Sequence, residues 1–173
     1  MECEVLGWPP DGPTLDLDWR EFSYAGKFVM TNTGKAVARV SGEIVGAVAF
    51  NADRANPNAG WLRYVTVRSD LRGTGVGPRL ASFTAGRLLE EDFDRVRIAV
   101  NNPFAYEALY KAGFAFAGEE TGVAELVLER PEPPRALPYR DGLEQFADRE
   151  LSEREKSFLD EKLETGPPSG EGH

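Results

Sequence analysis

The residues best suited to do chemistry are Arg72-Gly73-Thr74-Gly75-Val76-Gly77. They follow an apolar alternating segment, residues 61–67, and open a helix-like one, residues 76–91. Three glycines within five positions let the backbone approach a ligand closely. A helix starting there presents unpaired N–H groups and the positive end of its dipole to an anion. That combination suits phosphate, although many glycine-rich turns are no more than turns. Two better-known phosphate motifs are excluded by the residues themselves. A nucleotide P-loop ends in Gly-Lys-Ser/Thr, whereas Gly77 is followed by Pro78 and Arg79. The dinucleotide fingerprint needs G-x-G-x-x-G, and Pro78 stands where its third glycine belongs.

The elements that must position this loop come in a definite order. A strand pair at 36–40 and 43–50 precedes a strand at 62–67. The loop and its helix follow, with Leu80, Phe83, Thr84 and Leu88 on one apolar face. Next come a strand at 95–100, the run Asn102-Pro103-Phe104-Ala105, a short helix closing on Lys111-Ala112-Gly113-Phe114, and a last strand at 123–129. The Arg-x-x-Gly-x-Gly turn after a strand, followed by an Asn-x-x-Ala helix that closes on Gly-Phe, resembles the GNAT family of acyl-CoA-dependent N-acyltransferases. The resemblance covers residues 35 to 130. It implies an α/β fold, a mixed and mostly antiparallel sheet flanked by helices on both faces, in a domain spanning residues 1–130. It also implies acetyl-CoA as co-substrate, with no metal. Backbone N–H groups of Gly73, Thr74, Gly75, Val76 and Gly77 would then hold the CoA pyrophosphate. Pro78, which lacks an N–H, is tolerated in a helix's first turn. Arg72 would brace the loop or pair with phosphate, and Arg79 is the best further phosphate contact, ahead of Arg68 and Arg87. The backbone of Val65 and Val67 would hydrogen-bond the pantetheine arm while their side chains serve the core. Asn102 would lie near the pantetheine and adenosine end of CoA and also cap the helix that begins at Pro103.

N-acylation needs a base for the attacking ammonium and an acid for the departing thiolate. Many relatives keep a carboxylate early in the strand before the loop, but the matching positions here are Leu62, Arg63 and Tyr64. Asp70, Glu21, Tyr64 or a relayed water are the substitutes. The family's acid is a tyrosine seven residues after the asparagine, which is Leu109 here, flanked by Tyr106 and Tyr110. At about 100° per residue these lie roughly 60° and 100° from Leu109 around the helix. Tyr110 is the first choice, because Leu109-Tyr110 keeps the family's Leu-Tyr pair, and Tyr106 is the second. The run Trp19-Arg20-Glu21-Phe22-Ser23-Tyr24-Ala25-Gly26-Lys27-Phe28 is dense in aromatics. It walls an acceptor pocket or covers the sheet, and covering is favoured. Only about 34 residues precede the first confident strand, so the family's usual N-terminal helices are expected to be short or replaced. Asp53 and Glu21 would attract a cationic amine.

With 173 residues and a hydrophobic fraction of 41%, the chain fits one core with an appendage. Its N-terminus carries no long apolar run, and no window approaches the roughly 20 apolar residues of a membrane span. The expected location is the cytoplasm, without membrane or nucleic-acid partners. Cys3 permits no internal disulfide and reads as incidental, near a mobile end. The 29 acidic residues outnumber the 20 basic ones, of which only five are lysine. Acid excess with scarce lysine resembles proteins adapted to high intracellular salt. At molar salt the Debye length is about 3 Å, so an anionic cofactor must be caught by direct contacts. Residues 131–173 form an appendage that starts at Pro131-Glu132-Pro133-Pro134. Ser152 and Glu155 form a capping box before an amphipathic helix at about 153–164. Its apolar face needs a partner, which is the same domain, a second subunit of a homodimer, or the acceptor-site rim. His173 ends a flexible tail with nothing to orient it as a base. The expected reaction is acetyl transfer to a primary amine of a small molecule or protein. A CoA-binding regulatory module without chemistry is the competing reading. A structural partner domain acting through the C-terminal helix is a third.

Overall fold

The computed structural model describes residues 1–91, 93–120, 125–134 and 136–167. The chain divides into two compact units, Met1–Val96 and Arg97–His173.

The first unit is built on four sequential antiparallel strands: β1 (Glu2–Gly7), β2 (Gly34–Val40), β3 (Glu43–Ala52) and β4 (Ala59–Val67). The middle of the central pair is apolar, with Ala36, Val37, Ala38, Val45, Ala47, Val48, Ala49 and Phe50 all fully buried. One face packs Val37, Ala47 and Ala49 against Leu15 and Phe28, with Tyr64 at the edge of the cluster. Helix α1 (Val76–Glu90) packs on β2, β3 and β4. It sits so close that a Cβ on Gly60 would come within 2.7 Å of Leu88 Cδ2.

β1 was not foreseen in the sequence. Residues 2–7 are anchored by pairing Cys3 with Ala38 and Val5 with Ala36, so Cys3 stands in an ordered strand rather than a mobile end. Its thiol pKa is raised, chiefly by burial. The N-terminal helices expected to be short or replaced are replaced: between β1 and β2 the only helical element is a 3-10 turn, Ala25–Val29.

The second unit contains β5 (Arg95–Val100, which starts at the unit boundary), α2 (Pro103–Lys111), β6 (Ala115–Glu120), β7 (Leu126–Arg130), α3 (Tyr139–Glu144) and α4 (Glu153–Thr165), with strand order β5-β7-β6. Strand β6 and helix α3 were also unforeseen. The last strand begins at Leu126, and the expected residues 123–124 lie outside the described residues, as does His173. The expected capping box is present in full: Glu155 N–H donates to Ser152 Oγ at 3.1 Å and Ser152 N–H to Glu155 Oε1 at 2.9 Å. The apolar face of α4 meets α2 through Phe158 on Phe104, ring centroids 4.5 Å apart, so this helix finds its partner within its own chain.

Candidate functional site

The glycine loop leaves β4 through a single 3-10 turn at Ser69–Leu71. Gly73 and Gly75 take φ of 80° and 94°, which side chains with a Cβ rarely adopt. Gly75 is the N-cap of α1, and no side chain caps that helix. The first hydrogen bond back to the cap is Arg79 N–H to Gly75 C=O at 3.2 Å. Pro78 brings no donor, so the helix opens with its first N–H groups turned to the loop side. A Cβ built on Gly73 or Gly75 would meet nothing within 4 Å. These glycines are therefore required by backbone conformation, and the space in front of them is open to a ligand. Thr74 is exposed but closes the turn on itself, its hydroxyl and N–H both donating to Leu71 C=O.

Arg72 braces the loop: its guanidinium donates to Ser23 Oγ at 3.0 Å. Ser69 N–H donates to Glu21 C=O at 2.9 Å, so the aromatic N-terminal segment is tied to the strand-to-loop junction at two points. Arg79 is exposed and has no ion-pair partner among the described residues. Arg68 is engaged by Asp70 at 2.6 Å and Glu43 at 3.5 Å, and Arg87 by Glu90 at 3.6 Å. Of the further candidate cations Arg68, Arg79 and Arg87, Arg79 is the one that no carboxylate among the described residues pairs with.

The register of β4 sorts its backbone groups. Arg68 N–H donates to Val45 C=O at 2.8 Å, which makes that pair a hydrogen-bonded one. Alternation along an antiparallel ladder then puts Thr66–Ala47 in the same class, and Val65–Val48 and Val67–Gly46 in the other. The N–H and C=O of Val65 and Val67 thus point away from β3, as groups that are to bind a ligand must. Between Tyr64, paired with Ala49, and Leu62, paired with Phe50, Arg63 is left over as a bulge. Its guanidinium donates to Asn51 at 2.7 Å. At the positions where relatives keep a carboxylate stand an apolar residue, a bulged arginine and a tyrosine.

Among the substitute bases, Asp70 holds a bidentate bond to Arg68, and that hydrogen bonding lowers its carboxyl pKa. Tyr64 is half-buried, with Tyr24 against its ring at 5.6 Å. Asp53 accepts from Ala55 N–H at 2.9 Å and so shapes its own turn.

In the second unit, Asn102 caps α2 as expected, its Oδ1 accepting from Ala105 N–H at 2.9 Å with Pro103 next. Tyr106 is fully buried, and its hydroxyl donates to Tyr139 C=O at 2.9 Å. Desolvation raises its pKa well above the phenol range. Tyr110, one turn later, is half-buried and packs edge-on against Tyr139, centroids 4.7 Å apart. Burial raises its pKa, with a further contribution from Glu132. Tyr139 was missed in the sequence: it lies in a short helix of weak pattern, yet it touches both candidate tyrosines.

Residues 1–114 match the model of the Acetyltransferase (GNAT) family. The chain belongs to the GNAT family. The fold is correspondingly that of GNAT proteins, seven sheet strands with helices among the described residues, as the loop and helix signatures implied. Among solved structures, the GNAT chain is similar to nourseothricin acetyltransferase, at 22% identity and TM-score 0.50, covering 58% of this chain and 66% of that one. It is likewise similar to a GCN5-related N-acetyltransferase from Kribbella flavida, at 20% identity and TM-score 0.50, covering 57% and 67%. The likeness thus spans just under two thirds of the first of these proteins and about two thirds of the second, and at such identity it is one of fold. No curated protein matches the chain. No helix among the described residues is long and apolar enough to cross a membrane.

Proposed function

We propose that this GNAT chain transfers the acetyl group of acetyl-CoA directly to a primary amine of a small molecule or protein. The observation that carries the reading is the open cradle, in which two glycines in left-handed conformation face empty space at the uncapped start of α1. CoA pyrophosphate would rest on the N–H groups of Gly73, Gly75, Val76 and Gly77, with Arg79 as a cation beside them and Arg72 holding the loop in place; the N–H of Thr74, expected among them, is instead donated to Leu71 C=O. The outward N–H and C=O of Val65 and Val67 would bind the pantetheine arm, and Asn102 would serve its far end. Acetyl-CoA supplies an activated carbonyl and a thiolate leaving group. Tyr110 is assigned as the acid that protonates that thiolate, since Tyr106 has already committed its proton to a backbone carbonyl. With Asp70 engaged by Arg68, the amine's proton falls to Glu21, Tyr64 or water.

Dependence on acetyl-CoA makes the cytoplasm the expected compartment. The acidic composition with five lysines supports a protein working at high salt. The absence of a carboxylate at 62–64 is what favours the alternative, a CoA-binding regulatory module without turnover. The experiment is release of free CoA thiol in the presence of a panel of primary amines. Amine-dependent release supports the enzyme. Tight CoA binding without release under any amine supports the module.

A further inference from the structure

Of the five lysines, four have their ammonium groups committed. Lys35 is fully buried and donates to Met30 C=O at 2.8 Å, Thr33 C=O at 2.9 Å and Thr33 Oγ1 at 2.8 Å. Lys162 and Lys111 flank Glu107 at 3.0 and 3.9 Å, and Lys156 lies 4.0 Å from Glu153. Lys27 differs. It is exposed, no carboxylate among the described residues pairs with it, and its Nζ lies 5.7 Å from the centroid of the Tyr64 ring. That is a cation–π contact. Tyr24 packs on the same ring at 5.6 Å, and its C=O accepts from Lys27 N–H at 2.8 Å. Tyr24 itself holds a left-handed φ of 61°, unusual for a residue with a large side chain, so the local backbone departs from its ordinary preference at this spot.

Tyr64 immediately precedes Val65, which with Val67 turns its backbone groups away from β3. The segment bearing Lys27 is tied to the base of the glycine loop through Glu21 and Ser23. A primary amine is therefore seated on the very strand that would bind the pantetheine arm, and no carboxylate among the described residues competes for its nitrogen. The geometry points to Lys27 as a site of self-acetylation, an inference that rests on the proposed acetyl-CoA reading. The unprotonated Nζ bonds to the acetyl carbonyl carbon, and the carbon–sulfur bond breaks. The sulfur leaves with the electron pair and is protonated by the proton that the amine gives up. The products are N-acetyl-Lys27 and CoA thiol. Acetylation removes the charge from the Tyr64 ring and so frees the Tyr24–Tyr64 face for an incoming ammonium group.

The test incubates the full chain with acetyl-CoA and no amine, then quantifies acetylation at each lysine by peptide mass spectrometry. Lys111 and Lys156, both exposed, serve as internal controls. Lys27 should be labelled at least about tenfold faster than either, which corresponds to about 1.4 kcal/mol of barrier. The rate should not depend on protein concentration, and it should fall in Tyr64→Leu, which removes the ring under the ammonium group, and in the loop variant Gly75→Trp. Equal labelling of the three lysines overturns the assignment, as does Lys27 labelling that persists in Gly75→Trp or in the heat-unfolded chain. Acetyl-CoA binding with Lys27 left bare sinks this inference alone, whereas no acetyl-CoA binding at all sinks the proposed function with it.

Discussion

Tyr106 and Tyr110 lie one turn apart on α2 and meet different fates. The hydroxyl of Tyr106 is buried and bonded, whereas Tyr110 reaches a half-buried position beside Tyr139. Tyr110→Phe should therefore lower kcat by about 10²- to 10⁴-fold, the usual contribution of a positioned acid or base, with KM for acetyl-CoA little changed. Steady-state kinetics on the two variants would show it, since Tyr106→Phe should leave kcat near wild type. Because burial raises the Tyr110 pKa, its acid form persists above the ordinary phenol value of about 10. The alkaline fall of kcat should accordingly lie higher than that value and vanish in Tyr110→Phe. Spacing from Asn102 favours Tyr110 over Tyr106 only through the Leu109-Tyr110 pair, because the contact that occupies the Tyr106 hydroxyl comes from Tyr139, a residue 33 positions beyond it. Asn102 was legible for the opposite reason: a cap is a local contact, three residues long.

At the scale of elements, the C-terminal helices grip α2. A Cβ on Gly142 would come within 2.2 Å of the Tyr106 hydroxyl, so Gly142→Ala forces α3 away from α2. The expected cost is about 1–3 kcal/mol, read as a lowered midpoint of thermal unfolding. Ser152→Ala removes one half of the capping box and should cost about 1 kcal/mol by the same measurement. Long periodic elements were legible: α1 and β5 start where their patterns predict, and α4 begins at its capping box. Short ones were not. β1 carries two glutamates among its first three residues, and β6 runs Ala-Phe-Ala-Gly-Glu-Glu, a poor strand former. Each is made by its partner, β1 by pairing with β2 and β6 by pairing with β7. The bulge at Arg63 was equally invisible, since it exists only as a mismatch between two strands.

At the scale of the whole molecule, a net charge of −9 makes self-repulsion a term that salt can relieve. Added KCl also weakens exposed pairs such as Arg68–Asp70, which contribute little in any case. The midpoint of thermal unfolding should therefore rise as KCl goes from millimolar to molar. A flat or falling midpoint would argue for an ordinary acidic protein. The central claim is that the glycine cradle binds acetyl-CoA, and it is tested most directly by calorimetry of acetyl-CoA binding in molar KCl, with wild type and Gly75→Trp compared. The account predicts saturable one-site binding by the wild type and none by a folded Gly75→Trp protein. Equal binding by both, or no binding by the wild type, would contradict it.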